Sequence, residues 1–281
     1  MIRLKDVQKS YGRFRLDCSL EVKPGCVTGL IGANGAGKST AFKAILDLIR
    51  LDGGSIEVLG KSWDTLTPRD KQEIGVVFPG NAFSGQLTVK QLIPVLAGLY
   101  EKFDRGRFLS DCERFGLPMG KRTKEFSTGM LAKLKLLSVL SYSPRLMILD
   151  EPTSGLDVVA RDGLLDLLRE HMREDRAILV SSHISSDLEG FCDDIYMIDD
   201  GRIILHEDTD VLLGSYGILK VSDEELAAMD QQYLIRKKKA PFGWNCLTGH
   251  KQYYMDNYPR MVVEKGSIDE VILMMVKEER V

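Results

Sequence analysis

The chain carries a glycine-rich run directly after its first apolar segment, residues 26–31: Gly32-Ala33-Asn34-Gly35-Ala36-Gly37-Lys38-Ser39-Thr40. This run fits the pattern G-x-x-x-x-G-K-[ST], and a predicted strand before it and a predicted helix after it supply the context in which that pattern binds phosphate. Glycines let successive backbone N–H groups face a phosphate, and the helix adds its positive dipole end. Lys38 is expected to contact the β- and γ-phosphates, and the Ser39 hydroxyl is expected to ligate Mg²⁺. A glycine-rich turn that binds nothing is the alternative, and the flanking elements argue against it.

Apolar runs alternate with helical segments along most of the chain. The runs at residues 26–31, 74–78, 146–149 and 177–180 are short and read as buried strands, and residues 39–50 read as a helix. Such strands predict a mostly parallel sheet covered on both faces. The alternating residues before the glycine-rich run predict antiparallel strands. Residues 80–143 predict an inserted helical subdomain, with a capping box of Thr88 and Gln91.

Two predicted strands end in residues that suit phosphate chemistry. Asp150 and Glu151 follow the apolar run at 146–149, and His183 follows the run at 177–180. Asp150 is expected to hold Mg²⁺ beside Ser39. Glu151 is expected to point the other way and to orient or deprotonate an attacking water. His183 is expected to donate a hydrogen bond to the γ-phosphate, because parallel strands bring their carboxyl ends to one ligand crevice. An ordinary solvated acidic pair and a structural histidine are the alternatives.

The composition limits the classes of partner. The net charge of −3 gives no basic excess, so no nucleic-acid partner is expected. No run approaches the ~18 to 20 apolar residues that span a bilayer, so a transport role requires membrane-spanning partners on other chains. The five scattered cysteines form no C-x-x-C pair and are expected to be buried reduced thiols. A cytoplasmic protein is the resulting expectation.

The sequence changes character near residue 215. Residues 216–281 predict a small α+β appendage that ends in a helix capped by Ser267 with Glu270. The basic run at residues 236–239 is expected to be a solvated surface, with contact to lipid headgroups or a partner loop as the alternative.

Six groups of residues occur in the order found in the ABC ATPase family, and the chain resembles that family over residues 1–213. The groups are Tyr11, residues 32–40, Phe126-Ser127-Thr128-Gly129-Met130, Asp150-Glu151, Ser154-Gly155-Leu156-Asp157 and His183. The resemblance implies a P-loop NTPase core for residues 1–215, with catalytic roles for Glu151, His183 and Lys38. Within the family, the chain looks like the ATPases of bacterial ABC-2 type exporters.

The resemblance also implies a set of ligands. ATP would contact Tyr11, Gly32, Asn34, Gly35, Ala36, Gly37, Lys38, Ser39, Thr40, Ser127, Gly129 and Asp157; Mg²⁺ would contact Ser39 and Asp150. Ser127 is a good N-cap, and Gly129 lies at the start of that helix, where an anion binds favourably. In the family this helix meets the nucleotide of a second ATPase subunit. Tyr11 would stack on adenine, and a turn aromatic that packs locally is the alternative.

The resemblance implies partners as well: transmembrane permease subunits, a second ABC ATPase subunit in a homo- or heterodimer, and a place on the inner face of the cell membrane. Three positions depart from the family pattern. Thr128 stands where glycine is usual, and Met130 stands in place of glutamine. Pro79 stands where the family usually has a glutamine that touches metal, water and the membrane partner. A regulatory subunit with weak hydrolysis and a non-transport ABC ATPase are the competing hypotheses.

Overall fold

A computed structural model describes residues 1–80, 83–182 and 185–276 of the chain. The strands are β1 Ile2–Tyr11, β2 Phe14–Val22, β3 Val27–Ile31, β4 Gly53–Val58, β5 Lys61–Ser62, β6 Ile74–Val77, β7 Leu146–Asp150, β8 Ala177–Ser181, β9 Asp194–Asp199, β10 Arg202–Asp208, β11 Gly217–Val221, β12 Leu234–Ala240, β13 Gly243–Thr248 and β14 Val262–Lys265. The helices are α1 Lys38–Ile45, α2 Pro68–Gln72, α3 Val89–Leu99, α4 Arg105–Arg114, α5 Thr128–Leu140, α6 Val158–His171, α7 Ser185–Glu189, α8 Thr209–Ser215, α9 Asp223–Ala228, α10 Lys251–Asn257 and α11 Ile268–Met275.

The central sheet has six strands in the order β10-β9-β3-β8-β7-β6, and all neighbours are parallel except β10 and β9. Its strands are buried on both faces. Along β7, Leu146 and Ile148 pack into one apolar cluster, whereas Met147 and Leu149 pack into the other. The predicted sheet, mostly parallel and covered on both faces, is confirmed. Strands that are apolar along their whole length are stable only when both of their faces are buried.

The apolar cluster that contains Leu146 and Ile148 lies under an antiparallel sheet of order β2-β1-β4-β5 and helix α1. The predicted antiparallel subdomain is therefore confirmed. The helix expected over residues 39–50 ends earlier, at Ile45. Asp47 two residues later has a left-handed backbone with φ of 54°, which an α-helix does not admit and which aspartate tolerates better than most residues.

The helical block expected over residues 80–143 contains three separate α-helices, α3, α4 and α5. Thr88 and Gln91 form the predicted capping box of α3. Ser127 caps α5 by accepting the N–H of Met130 at 3.2 Å. None of the described helices is long and apolar enough to cross a bilayer.

The carboxyl-terminal part forms an antiparallel sheet of order β12-β13-β11-β14 with three short helices, of which α11 has the predicted Ser267–Glu270 capping box. Its apolar residues Ile218, Ile268 and Met274 belong to the same cluster that covers β7 and β8. The appendage therefore packs against the part that contains the central sheet, and a boundary near residue 215 stays a prediction.

The basic run at residues 236–239 lies in the edge strand β12. The ammonium of Lys238 donates to the Leu273 and Val276 carbonyls at the end of α11, and that of Lys239 donates to Asp223 at 2.6 Å. Arg236, Lys237 and Lys239 are exposed, as expected for a solvated surface, whereas Lys238 is half-buried.

Two phenylalanines allow a matched test of the core. Phe42 on α1 is completely buried, whereas Phe242 at the tip of the β12–β13 hairpin is 98% exposed. We expect Phe42→Ala to lower the free energy of unfolding by about 3–5 kcal/mol, because it leaves a cavity. Phe242→Ala should change that free energy by less than about 0.5 kcal/mol. Urea denaturation followed by circular dichroism measures both, and equal destabilisation would contradict the position of α1 in the core.

Candidate functional site

The glycine-rich loop joins the carboxyl end of β3 to the first turn of α1 and folds around its own lysine. Lys38 is only 7% exposed, and its ammonium donates to the carbonyl oxygens of Gly32 at 2.6 Å and Ala33 at 3.2 Å. Burial lowers the pKa of this ammonium, and the nearby carboxylates of Glu151 and Asp150 oppose that shift. A buried cation at a helix N-terminus is suited to a polyphosphate.

Two of the loop glycines are required by the geometry. A Cβ atom at Gly32 would lie 2.2 Å from the carbonyl oxygen of Ile198, a distance that backbone cannot accommodate. Gly37 has a φ of 116°, which strains any residue with a side chain, and the ring of Phe14 lies 3.1 Å from the position of its missing Cβ. The loop therefore depends on glycine for close approach at one end and for backbone conformation at the other.

The Asp150 carboxylate connects the loop to the strands beside it. One oxygen accepts the Ser39 hydroxyl at 3.0 Å, and the other accepts the Ser181 hydroxyl at 2.6 Å. Asp150 and Ser181 are paired in register at the ends of β7 and β8, and Leu30 of β3 is paired with Ser181 on its other side. The parallel order of the sheet thus brings the predicted metal residues Ser39 and Asp150 together.

Glu151 leaves the strand with an unusual backbone. Its φ of 52° is in the left-handed region, and its N–H donates to both the carbonyl, at 3.2 Å, and the hydroxyl, at 3.1 Å, of Ser181. Both acids line one pocket, and the direction in which the Glu151 side chain points relative to Asp150 stays a prediction. Such strained non-glycine conformations are held in place by their surroundings and concentrate at functional sites.

That phosphate pocket, as we name it, is a cavity of about 270 Å³ at the carboxyl edge of the central sheet. Eight of the predicted residues line it: Asn34, Gly35, Gly37, Lys38, Ser39, Thr40, Asp150 and Glu151. The predicted residues Gly32 and Ala36 support the loop from behind, since the Gly32 carbonyl holds Lys38 and the Ala36 carbonyl accepts the N–H of Gly201 at 2.8 Å.

Comparison with known proteins identifies the family. The family model of the ABC transporter, ABC_tran, matches residues 16–154. The ABC transporter ATP-binding protein YtrB of Bacillus subtilis (strain 168) is 33% identical over 237 residues, which cover 82% of this chain and 81% of that protein. The chain belongs to the ABC transporter ATP-binding proteins.

Further matches agree with this identification. The lantibiotic transport ATP-binding protein SrtF of Streptococcus pyogenes is 33% identical over 217 residues, covering 75% of this chain and 92% of that protein. A solved structure of an ATP-binding subunit of an ABC transporter superposes with a TM-score of 0.68 at 26% identity, covering 75% of this chain and 91% of the other. The protein is an ATP-binding subunit of this transporter family and an ATPase, with the P-loop NTPase fold.

Several residues that the ABC ATPase resemblance assigned to nucleotide lie outside the phosphate pocket of their own chain. Among the described residues, neither Ser127, Gly129 nor Asp157 lines it. Asp157 instead caps α6 by accepting the N–H of Ala160 at 2.8 Å, a bond that lowers the pKa of its carboxyl. Contact of these residues with a nucleotide therefore stays a prediction that requires a second subunit. His183 lies outside the described residues, so its role also stays a prediction.

The aromatic residue that lines the phosphate pocket is not the expected one. Tyr11 ends β1, is 48% exposed and does not line the phosphate pocket, whereas Phe14 does. The two are cross-strand partners on either side of a two-residue turn. Stacking of Tyr11 on adenine stays a prediction, and sequence reasoning missed Phe14.

A second cavity adjoins the phosphate pocket on the side of the helical block. It has a volume of about 450 Å³ and is lined by Asn34, Pro79, Thr128, Lys135 and Glu151 among others. Sequence reasoning missed Lys135 because a lysine on a helix is usually solvated, and it missed Ser181 because a serine at a strand end is ordinary. Neither role is visible before the helices and strands are packed.

Lys38 gives the direct test of the phosphate pocket. We expect Lys38→Met to weaken ATP binding at least about tenfold, because a hydrogen bond to a charged group contributes roughly 1.5–3 kcal/mol. The exposed Lys43 on the same helix supplies the control, and Lys43→Met should leave the dissociation constant within about twofold. Titration with a fluorescent ATP analogue measures both variants, and an unchanged affinity of the Lys38 variant would contradict the pocket.

Proposed function

We propose that this chain powers an ABC transporter by hydrolysing ATP at a site that two ATPase subunits complete, with Glu151 as the general base. The observation that carries the proposal is the fixed position of Glu151 beside the phosphate pocket. Its backbone N–H is held by Ser181, and Ser181 also holds Asp150. A base placed in this way removes a proton from a water that attacks the γ-phosphate. His183 is proposed to donate a hydrogen bond to that phosphate.

Ser39 and Asp150 are proposed to hold Mg²⁺. A hydroxyl and a carboxylate oxygen lie 3.0 Å apart at the pocket wall, and hard oxygen donors of this kind suit Mg²⁺. When bound with the nucleotide, Mg²⁺ neutralises charge on the β- and γ-phosphates. Lys38 and the loop N–H groups orient the same phosphates.

A second ATPase subunit is proposed to supply the missing contacts. Ser127 and Gly129, at the N-terminus of α5, do not line the phosphate pocket of their own chain, and this N-terminus is proposed to offer N–H groups to a phosphate held by the partner. Directly after Asp157, the valines 158 and 159 are 75% and 83% exposed, an apolar pair at the first two positions of α6. An exposed apolar pair beside these loops favours a protein contact.

A permease helix is proposed to dock on the helical block. A groove of about 340 Å³ runs along α3 and is lined by apolar residues that include Leu87, Val95, Leu99 and Tyr100. Val95 and Leu99 are exposed despite their size. An amphipathic cytoplasmic helix of a membrane subunit is the partner that such a groove fits. We call this surface the partner groove.

Export is the proposed direction, and the cytoplasmic face of the membrane is the proposed place. The similarity to a lantibiotic transport ATP-binding protein supports an ABC-2 type exporter. The competing hypothesis of a regulatory subunit with weak hydrolysis is favoured by Thr128 and Pro79, two of the departures from the family pattern. It predicts ATP binding without turnover.

Replacement of Glu151 tests the function. We expect the parent protein to hydrolyse ATP and Glu151→Gln to reduce the rate by at least about 100-fold, because a general base contributes 10²–10⁴-fold. Light scattering should show a monomer that becomes a dimer when Mg-ATP is added to the variant. The exposed Glu174 supplies the control, Glu174→Gln, with parental turnover. ATP binding without turnover in the parent would favour the regulatory hypothesis.

The valine pair tests the dimer face. In the Glu151→Gln background, we expect Val159→Asp to abolish the ATP-dependent dimer while the affinity of the monomer for ATP stays within about twofold. An acidic residue in the first turn of a helix is compatible with the helix dipole, so α6 should remain folded. Leu48→Asp, at another exposed apolar residue, is the control that should still dimerise. A Val159 variant that dimerises normally would place the interface elsewhere.

A further inference from the structure

The catalytic side of the protein and the partner groove share a wall. Of the described residues, Val77 and Lys135 line both the 450 Å³ cavity beside Glu151 and the 340 Å³ partner groove. Val77 is a buried residue of β6. Lys135, on α5, is therefore the charged residue common to both spaces.

Lys135 forms a hydrogen bond at the end of strand β6. Its ammonium donates to the carbonyl oxygen of Phe78, the residue that follows β6, at 3.0 Å. Burial lowers the pKa of this ammonium, and no carboxylate contributes to the shift. A partly buried ammonium resists losing its acceptor, because its N–H groups would then lack a partner. The bond therefore ties α5 to the end of β6.

The Phe78 carbonyl lies next to Pro79, a residue at the boundary of two cavities. Pro79 lines both the phosphate pocket and the 450 Å³ cavity. Proline has no N–H and no polar side chain, so it cannot itself donate a hydrogen bond to a neighbouring element. On the other side, α5 contributes Ser138 and Val139 to the partner groove in addition to Lys135.

We propose that Lys135 is a positioning residue that transmits nucleotide binding from the phosphate pocket to the partner groove. A nucleotide that displaces Pro79 moves the Phe78 carbonyl, and the ammonium bound to that carbonyl moves α5 and the groove wall with it. The inference rests on the proposed function and specifies the contact by which its two surfaces communicate. Coupling of this kind requires a physical element that both sites bias, and the bond between α5 and β6 is that element.

Hydrogen exchange measured by mass spectrometry tests the proposal in the Glu151→Gln background. Mg-ATP should slow amide exchange in the phosphate loop, residues 32–40, and change exchange in α3, Val89–Leu99. In Lys135→Met the effect on the loop should persist, and the change in α3 should fall by at least about half. Lys135→Arg should restore the change in α3, because a guanidinium also donates to a carbonyl. Lys43→Met is the control and should behave as the parent.

Steady-state kinetics provide a second readout with Glu151 intact. We expect Lys135→Met to lower kcat about fivefold and to leave KM for ATP within about twofold, the pattern of a residue that does not contact substrate. If this variant is unfolded by circular dichroism, Lys135→Ala takes its place, because alanine favours the helix and the site borders a cavity.

Two results would overturn the inference. One is a parental response of α3 in the folded Lys135→Met or Lys135→Ala variant. The other is a parent protein in which ATP protects the loop and leaves α3 unchanged. In both results ATP still binds, so the proposed function stands. Absence of ATP binding and turnover in the parent would instead contradict the proposed function itself.

Discussion

The site depends on one carboxylate that bridges two hydroxyls. Asp150 accepts Ser39 from the phosphate loop and Ser181 from the neighbouring strand, so three segments far apart in sequence are fixed by one side chain. Hydrogen bonds to charged groups each stabilise by roughly 1.5–3 kcal/mol, which is enough to hold the loop in one position. Ser181 also accepts the N–H of Glu151 and so sets the conformation of the proposed base. The proposed metal residues and the proposed base are therefore positioned by the same network.

Much of this arrangement is local in sequence and could be predicted. The phosphate loop, the strand that ends in Asp150 and the capping boxes of α3 and α11 each follow from residues a few positions apart. The parallel sheet follows from apolar strands that alternate with helices. These predictions rest on periodicity and turn chemistry, which a single sequence contains.

The remaining features depend on packing between distant segments. Ser181 can bind Asp150 because β8 lies beside β7 and pairs these two residues in register. The sequence of a single strand does not show which strand will lie beside it. Phe14 reaches the phosphate pocket because the β1–β2 hairpin lies over Gly37. Glu151 and Asp47, just beyond the end of α1, both have a left-handed backbone. Neither is a glycine, so the sequence does not predict these conformations. The hydrogen bond of Lys135 to the Phe78 carbonyl forms only because α5 packs beside the end of β6.

The shared core of the appendage constrains where this chain can be shortened without exposing apolar surface. Ile268, at the start of α11, donates its N–H to the Glu189 carboxylate at 3.0 Å, and its side chain is buried in the cluster that also covers the catalytic strands. A substitution on one side of this contact alters the packing on the other. Removal of the carboxyl-terminal part would therefore uncover apolar side chains of the cluster that packs on β7 and β8, and it would leave the Glu189 carboxylate without the N–H of Ile268.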